Sequence, residues 1–272
     1  MSHVTRIELG GIVVDVLCDA VGDHPRALPD AFPGAPALGW DAVRNAFPAT
    51  VGVEGRWRFG THVLLVRTPD ARVLVDAGVG PAGTAAADWL HVTGTLDADL
   101  AALEVRPEDI DVLVLTHLHQ DHIGWLVEPG TRTPRFARAR HVLSEPEWTS
   151  VQDAMPAHLR DTFEPVQAAD LLDVGGDLVD GLALLPLPGH TPGHSGVLIE
   201  GEERRLLFGG DAFNHPLQID DPGVPSLADA DREQAVATRH EVLALARGQA
   251  LTVLGAHLPG ALWPERADAA VG

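Results

Sequence analysis

Alternating strand-like and helix-like segments predict a mixed α/β fold for this chain. Short apolar runs bounded by Gly, Pro, Asn or Asp indicate strands, as at residues 112–115 and 205–208. Longer segments, 96–103 and 228–246, have the apolar spacing of helices. The sequence has 272 residues, of which 45% are hydrophobic, and no composition shift or low-complexity linker divides it. These observations predict one domain over residues 1–272.

The order of the predicted elements follows from their boundaries. A Thr-Pro-Asp turn at residues 68–70 joins two early strands. Ser144 and Glu147 have the spacing of a capping box, which predicts a helix running towards Asp153. Gly248 ends the last helix. The remaining predicted strands are residues 11–17, 62–67, 72–76, 140–143, 182–187, 196–200 and 252–254.

A cluster of metal-ligand residue types directly follows the apolar strand 112–115. The run Thr-His-Leu-His-Gln-Asp-His at residues 116–122 places His117, His119, Asp121 and His122 in one short loop. Such a loop after a strand end brings several imidazole and carboxylate groups to one point. The spacing is sufficient to supply ligands to two different metal ions.

Three further segments repeat this arrangement downstream. His190 lies in the turn Pro-Gly-His-Thr-Pro-Gly-His, where Gly and Pro enforce tight turns. Asp211 follows a strand that ends in two glycines, and His257 follows the strand 252–254 and a Gly-Ala pair. Each segment therefore presents a metal-ligand side chain at a strand end or in a tight turn.

In these motifs the chain resembles the metallo-β-lactamase superfamily, whose pattern is HxHxDH, then a His, an Asp and a His. The resemblance implies the family's fold, a four-layer αβ/βα sandwich. It also implies that His117, His119 and His190 bind one metal ion and that Asp121, His122 and His257 bind another, with Asp211 bridging both. Ligands of imidazole and carboxylate without thiolate suit two divalent ions, Zn²⁺ best, although iron and manganese remain open.

Other residues near the motifs receive lesser roles. Asp76 matches an early family motif, and the resemblance implies that it orients a metal ligand from outside. His194 is expected to pack or to support the site without binding metal, and His215 is expected to line the pocket. The other histidines, His24 and His158 among them, lie in no motif and receive no role.

Composition excludes several partners. The formal net charge of −20 argues against nucleic acid, which needs a basic surface. No apolar run is long enough for a transmembrane helix, and no secretory signal is visible at the start, so we expect a cytoplasmic protein without a membrane partner. The single cysteine, Cys18, is expected to pack at a strand end.

The segment before the motifs offers two alternatives. Residues 24–50 are rich in Pro and Gly and either pack on the core or form a lid over the metal cleft or a dimer arm, the latter giving a homodimer. Apolar residues around the motifs would form a pocket for a neutral small molecule. The predicted pocket residues are Phe32, Phe47, Trp125, Phe213, His215 and Trp263.

Residues 211–218 and 256–260 further resemble the branch of methyl parathion hydrolases and quorum-quenching lactonases. The resemblance implies hydrolysis of a small neutral ester or lactone by a metal-bridging hydroxide, with Asp121 relaying the proton. Many lactonases of this branch use a tyrosine near the metals, and this chain contains no tyrosine. Phosphotriesterase or thioesterase activity on the same site, a mononuclear iron oxygenase and a non-catalytic binding protein are the alternatives.

Overall fold

The computed structural model describes residues 4–34, 36–202, 204–249 and 251–258. The strands are β1 Thr5–Glu8, β2 Val13–Ala27, β3 Arg56–Arg67, β4 Arg72–Val75, β5 Val112–Val114, β6 Arg140–Leu143, β7 Leu172–Val174, β8 Leu182–Pro186, β9 Ser195–Glu200, β10 Arg205–Phe208 and β11 Leu251–Leu254. The helices are α1 Leu28–Ala31, α2 Trp40–Ala46, α3 Ala85–Leu90, α4 Leu96–Ala102, α5 Glu145–Gln152, α6 Ala157–Ala168, α7 Leu217–Asp220 and α8 Arg232–Gln249. None of these helices is both long and apolar enough to cross a membrane.

The strands form two sheets. The seven-stranded sheet has the order β1-β2-β3-β4-β5-β6-β7, antiparallel from β1 to β4 and parallel from β4 to β7. The four-stranded sheet has the order β11-β10-β9-β8, in which β10 and β11 are parallel and the other pairs antiparallel. Parallel pairs require crossovers, and those from β4 to β5, from β6 to β7 and from β10 to β11 carry helices α3 to α8.

Strand β3 shows how the large sheet is buried on both faces. Leu64 and Val66 belong to a core cluster shared with the small sheet, and Val63 and Leu65 belong to a second cluster on the opposite face. Because successive side chains of a strand alternate between faces, an uninterrupted apolar run fits a sheet that is covered on both sides.

The outer layers are helical. Leu96 and Leu100 of α4 and Phe163 of α6 complete the cluster on the outer face of the large sheet. Val242 and Leu243 of α8 pack on the small sheet. The order helix, sheet, sheet, helix confirms the predicted αβ/βα sandwich.

Several predicted boundaries were wrong. The hairpin of β2 and β3 is much longer than the predicted strands 11–17 and 62–67, and Cys18 lies half-buried within β2 rather than at its end. Helix α8 begins at Arg232, not near residue 228, and it continues through Gly248 to Gln249. Ser144 caps α5 by accepting the N–H of Glu147, but the Glu147 carboxylate is used elsewhere, so the reciprocal half of the predicted capping box is missing.

Candidate metal centre

The strand-end motifs meet in space. The loop after β5, the turn between β8 and β9, and the segments after β10 and β11 bring together the predicted metal ligands. Their ligand atoms fall into two groups, within each of which all atoms lie within 4.8 Å of one another. The groups are His117, His119, His190 and Asp211, and Asp121, His122 and His257.

The first group surrounds a single point. His119 Nδ1 lies 3.0 Å from His117 Nε2 and 2.9 Å from His190 Nε2. Asp211 Oδ2 lies 3.3 Å from His190 Nε2 and 4.0 Å from His117 Nε2. Three nitrogens and one oxygen at this spacing match the number of ligands in a zinc site.

The second group is continuous with the first through Asp211. His257 Nε2 lies 3.4 Å from Asp121 Oδ2 and 3.1 Å from Asp211 Oδ2. His122 Nε2 lies 3.3 Å from Asp211 Oδ1. Asp211 therefore contacts ligand atoms of both groups, which is the geometry that a bridging carboxylate requires.

Two buried atoms test whether a metal ion fits here. His122 Nε2 and Asp211 Oδ1 have no hydrogen-bond partner among the described residues. Burying polar atoms without a partner is unfavourable, and such atoms are rare in native proteins. A cation between them would satisfy both, so this donor set fits a metal ion.

Oxygen atoms outside the centre orient four of the imidazole rings. In these four rings Nδ1 contacts an oxygen atom outside the centre, which leaves Nε2 directed inward, the arrangement that fixes ring orientation in metal sites. The partners are Thr116 Oγ1 for His117 at 3.1 Å, Asp76 Oδ2 for His122 at 2.7 Å, Asp229 Oδ1 for His190 at 3.3 Å and the Gly60 carbonyl for His257 at 2.9 Å.

Asp76 is fully buried at the end of β4 and contacts the centre through His122. Its carboxylate also accepts hydrogen bonds from the backbone N–H of Thr116 at 2.8 Å and from the Thr116 hydroxyl. Asp76 has a φ of 63°, which a non-glycine residue adopts rarely and at some energetic cost. Its hydrogen bonds hold this conformation and link β4 to the first ligand loop.

Glu147 and His194 fix the loops relative to one another. The Glu147 carboxylate accepts from the backbone N–H groups of Leu118 and Gly193 and from the Thr191 hydroxyl, so it joins the first ligand loop to the turn that carries His190. His194 Nε2 accepts the backbone N–H of Asp211 at 3.0 Å, and its Nδ1 donates to the Leu187 carbonyl at 2.9 Å.

Sequence reasoning missed the partners on the other side of the centre. Asn214 donates from Nδ2 to Asp211 Oδ2 at 2.9 Å. Asp229 contacts His190, and its other oxygen lies 3.3 Å from the guanidinium of the fully buried Arg239. The separation of only three residues between Asp211 and Asn214 was the available signal. Nothing local connects Asp229 to His190, 39 residues away.

Burial and neighbouring charges set the proton affinities. Burial, reinforced by neighbouring imidazoles, places the pKa of His117 well below its usual range and lowers the pKa of His119 to about 3. The pKa of His122 is raised, because Asp211 and Asp76 outweigh the opposing effect of burial. The pKa of His257 is also raised against burial, mainly by Asp211. The Asp211 carboxylate in turn has a strongly lowered pKa because His257 and His122 outweigh its burial.

A cavity of about 330 Å³ opens beside the two groups. It is lined by ligand residues on one side and by an aromatic wall on the other, which we define as His24, Trp57, Phe59 and Trp89. No arginine or lysine lines the cavity within the part of the chain that the structure describes. The cleft therefore offers aromatic surface and uncharged donors to a ligand.

The structure places most of the predicted pocket residues in the core and not in the cleft lining. None of the five that lie in the described part of the chain lines the cleft, and all five are buried in the core. His215 lies between the rings of Phe32 and Phe47, Trp125 donates from Nε1 to Asp19, and Phe213 packs between the sheets. Trp263 lies outside the described residues. In the sequence, apolar residues near a motif look alike whether they face the core or the cleft.

The segment 24–50 packs against a third core cluster together with Trp57 and Phe59. It contributes His24 and Ala31 to the cleft wall. Packing on the core is therefore the alternative that its contacts favour, and the contribution to the cleft comes from its first residues.

Comparison with known proteins agrees with the geometry. The family model for the metallo-β-lactamase superfamily matches residues 56–257. A probable metallo-hydrolase of Mycobacterium tuberculosis is 33% identical over 184 residues. That match covers 58% of this chain and 58% of the relative, so the chain spans little more than half the length of that protein.

Solved structures extend the similarity to nearly the whole chain. The hydrolase AbOPH of the β-lactamase superfamily has a TM-score of 0.82 at 22% identity, covering 96% of this chain and 92% of its own. AidC, a dizinc quorum-quenching lactonase, has a TM-score of 0.76 at 22% identity, covering 97% and 92%. At these identities the likeness concerns the fold. Together with the family match over all the strand-end motifs, it shows that the chain belongs to the metallo-β-lactamase superfamily.

Proposed function

We propose that the chain is a hydrolase of small, neutral esters or lactones that uses two divalent metal ions, most suitably Zn²⁺. The observation that carries this proposal is the convergence of seven ligand residues, in two groups joined by Asp211, beside an apolar cleft. The structural likeness to AidC, a lactonase described as dizinc, supports both the metal count and the substrate class.

Bound divalent ions would acidify a water molecule and would stabilise oxygen atoms that gain negative charge. The chain holds the ligands in place: Asp76 and Asp229 orient His122 and His190. Asp121 lines the cleft and is the residue that we assign to carry a proton to the leaving oxygen. The aromatic wall excludes water and contacts the apolar part of the substrate.

Charge supports a neutral substrate. The formal net charge of −20 repels polyanions before they reach the centre, and the described cleft lining offers no guanidinium or ammonium group to an anionic substrate. Nucleic acid is therefore not a substrate in this proposal. A phosphotriester or thioester would fit the same site, and the substrate panel decides among them.

The test combines metal analysis with a substrate panel. Protein purified without chelator and supplemented with zinc should contain close to two ions per chain by elemental analysis. It should hydrolyse aryl esters or lactones and leave oligonucleotides intact. A metal ratio that stays near one would refute the dinuclear centre. Iron with an optical spectrum and oxygen consumption in place of hydrolysis would favour the oxygenase alternative.

A single domain, a cytoplasmic location and a homodimer remain predictions from the sequence. Size-exclusion chromatography with light scattering tests the dimer.

A further inference from the structure

His24 lies in the cleft but belongs to neither ligand group. Its ring centroid is 5.5 Å from that of Trp57 and 5.2 Å from that of Trp89, so it forms the middle of the aromatic wall. Its environment includes the charges of Asp121 and His257, two of the ligand residues. A polar ring at this position faces whatever occupies the cleft.

The backbone explains how a strand residue comes to face the cleft. Asp23 pairs with Arg58 and Ala27 pairs with Arg56, so β2 contains two extra residues between these pairs. Such a bulge redirects side chains and occurs often beside active sites. Pro25, which lacks an N–H for the ladder, lies within this bulge, where proline is tolerated.

The same bulge fixes which ring nitrogen carries the proton. Arg26 has no ladder partner on β3, and its backbone N–H donates to His24 Nδ1 at 3.0 Å. An accepting nitrogen of a neutral imidazole carries no proton, so the proton is on Nε2. Burial lowers the pKa of His24, which keeps the ring neutral at physiological pH.

The Nε2 atom is available to a ligand. No described residue makes a hydrogen bond to this atom. The atom is also absent from the buried atoms that lack a partner, so it is accessible. Two other donors of the cleft are committed or inaccessible: Asn214 donates to Asp211, and Trp57 Nε1 is buried. His158 and Gln120 are shared with a neighbouring cavity and so lie at the edge of the cleft.

We propose that His24 donates a hydrogen bond from Nε2 to the substrate oxygen that gains negative charge during hydrolysis. This inference rests on the proposed function and assigns a residue to it. The chain has no tyrosine to serve as this donor. A preorganised neutral donor aimed at a developing charge lowers the barrier without having to reorganise during the reaction.

Kinetic variants test the donor. His24→Leu removes the donor and retains bulk, whereas His24→Gln retains an N–H near the position of Nε2. We expect His24→Leu to lower kcat by about 10²–10³-fold with little change in KM, which is the loss that removal of one such donor causes in well-studied sites. His24→Gln should recover most of kcat. His240→Leu, at an exposed histidine of α8 that does not line the cleft, is the matched control and should leave kcat and KM close to those of the wild-type protein.

Zinc content and thermal stability of each variant separate a hydrogen bond from packing. An unchanged kcat in His24→Leu, or a His24→Gln variant no better than His24→Leu, would overturn the proposal. An effect confined to KM would do so as well, because it would indicate ground-state contact alone.

A second measurement does not depend on turnover. In ¹⁵N-histidine NMR of the wild-type protein, we expect His24 to have its proton on Nε2, and we expect titration with the lactam 2-pyrrolidinone to shift that resonance. A proton on Nδ1, or an unshifted Nε2, would refute the inference. If no ester or lactone is hydrolysed, the proposed function fails, whereas a shifted Nε2 resonance would still show that His24 donates to a carbonyl ligand in the cleft.

Discussion

The two ligand groups use the same side-chain types but are supported differently. In the first group His190 contacts Asp229, whose charge is shared with the buried Arg239 and with the backbone N–H of Ser226. In the second group His122 contacts Asp76, whose carboxylate has as its other described partners the N–H and hydroxyl of Thr116. Among the described residues, no arginine therefore offsets the charge of the carboxylate behind the second group.

The proton affinities of the histidines also differ between the two groups. His117 and His119 have lowered pKa values, whereas His122 and His257 have raised ones. His117 and His119 are therefore neutral at neutral pH and ready to bind a metal ion. His122 and His257 favour a positive charge, as protons or as a metal ion, mainly because Asp211 lies beside both. These histidines of the two clusters thus differ in how they take up a metal ion.

The largest effect should follow from changing the residue that both groups share. We expect Asp211→Asn to lose both metal ions and to reduce kcat/KM by more than the roughly 10- to 100-fold typical of outer partners, since a neutral amide bridges two cations poorly. Elemental analysis and ester kinetics measure this. Asp121→Asn is the comparison and should reduce turnover more than metal content. Equal metal loss in both variants would leave Asp121 as a ligand without a proton-transfer role.

The second-largest effect should come from substitution of the two supporting carboxylates, and its size should differ between them. Asp76→Asn and Asp229→Asn each retain shape and remove charge, and loss of such partners lowers metal affinity about 10- to 100-fold. We expect the greater loss for Asp76→Asn, at the second ion only, because Arg239 already offsets the charge of Asp229. Chelator competition titrations resolve the two ions. An equal loss in the two variants would show that Arg239 does not distinguish the groups.

A smaller effect concerns pH. Because the pKa values of His122 and His257 are raised, a metal ion entering the second group displaces protons, and its affinity should rise as pH increases towards those pKa values. The lowered pKa values of His117 and His119 mean that neither has a proton to displace, so the affinity of the first ion should depend less on pH, by about a factor of ten per pH unit for each proton that need not be displaced. Calorimetry in buffers of different ionisation enthalpy counts the released protons. Equal proton release in both steps would contradict this difference.

The smallest effect on the centre should come from the N-terminal segment. Phe47 is buried against His215 and does not line the cleft. Phe47→Ser should therefore lower the free energy of unfolding by about 3–5 kcal/mol, as large-to-small core changes do, with KM unchanged across acyl chain lengths. Denaturant unfolding and ester kinetics test this. A KM increase specific to long chains would restore the lid hypothesis.

Local sequence patterns predicted the ligand residues. Long-range packing determined the aromatic wall, the start of α8 and the role of Glu147, which the sequence did not predict. The motif at residues 116–122 and the apolar strands before each ligand are contiguous in sequence, so period and turn chemistry identify them. The aromatic wall depends instead on the length of the β2–β3 hairpin and on a bulge, neither of which periodicity encodes. The start of α8 was misplaced because residues 226–231 form turns that bring Asp229 to His190. Glu147 was predicted to complete a capping box, but its carboxylate instead accepts hydrogen bonds from both ligand loops.

That use of Glu147 has a consequence for how metal ions exchange. Its carboxylate fastens both loops to α5 through bonds that involve no ligand atom. These bonds set the spacing of the loops independently of any ion, so we expect removal of the ion to leave the loops in place. We expect exchange of one divalent ion for another to be governed by ion dehydration and access, without a refolding step. Different metal ions would then bind to ligand residues held in the same positions. Differences in activity between ions would therefore reflect the chemistry of the ion itself.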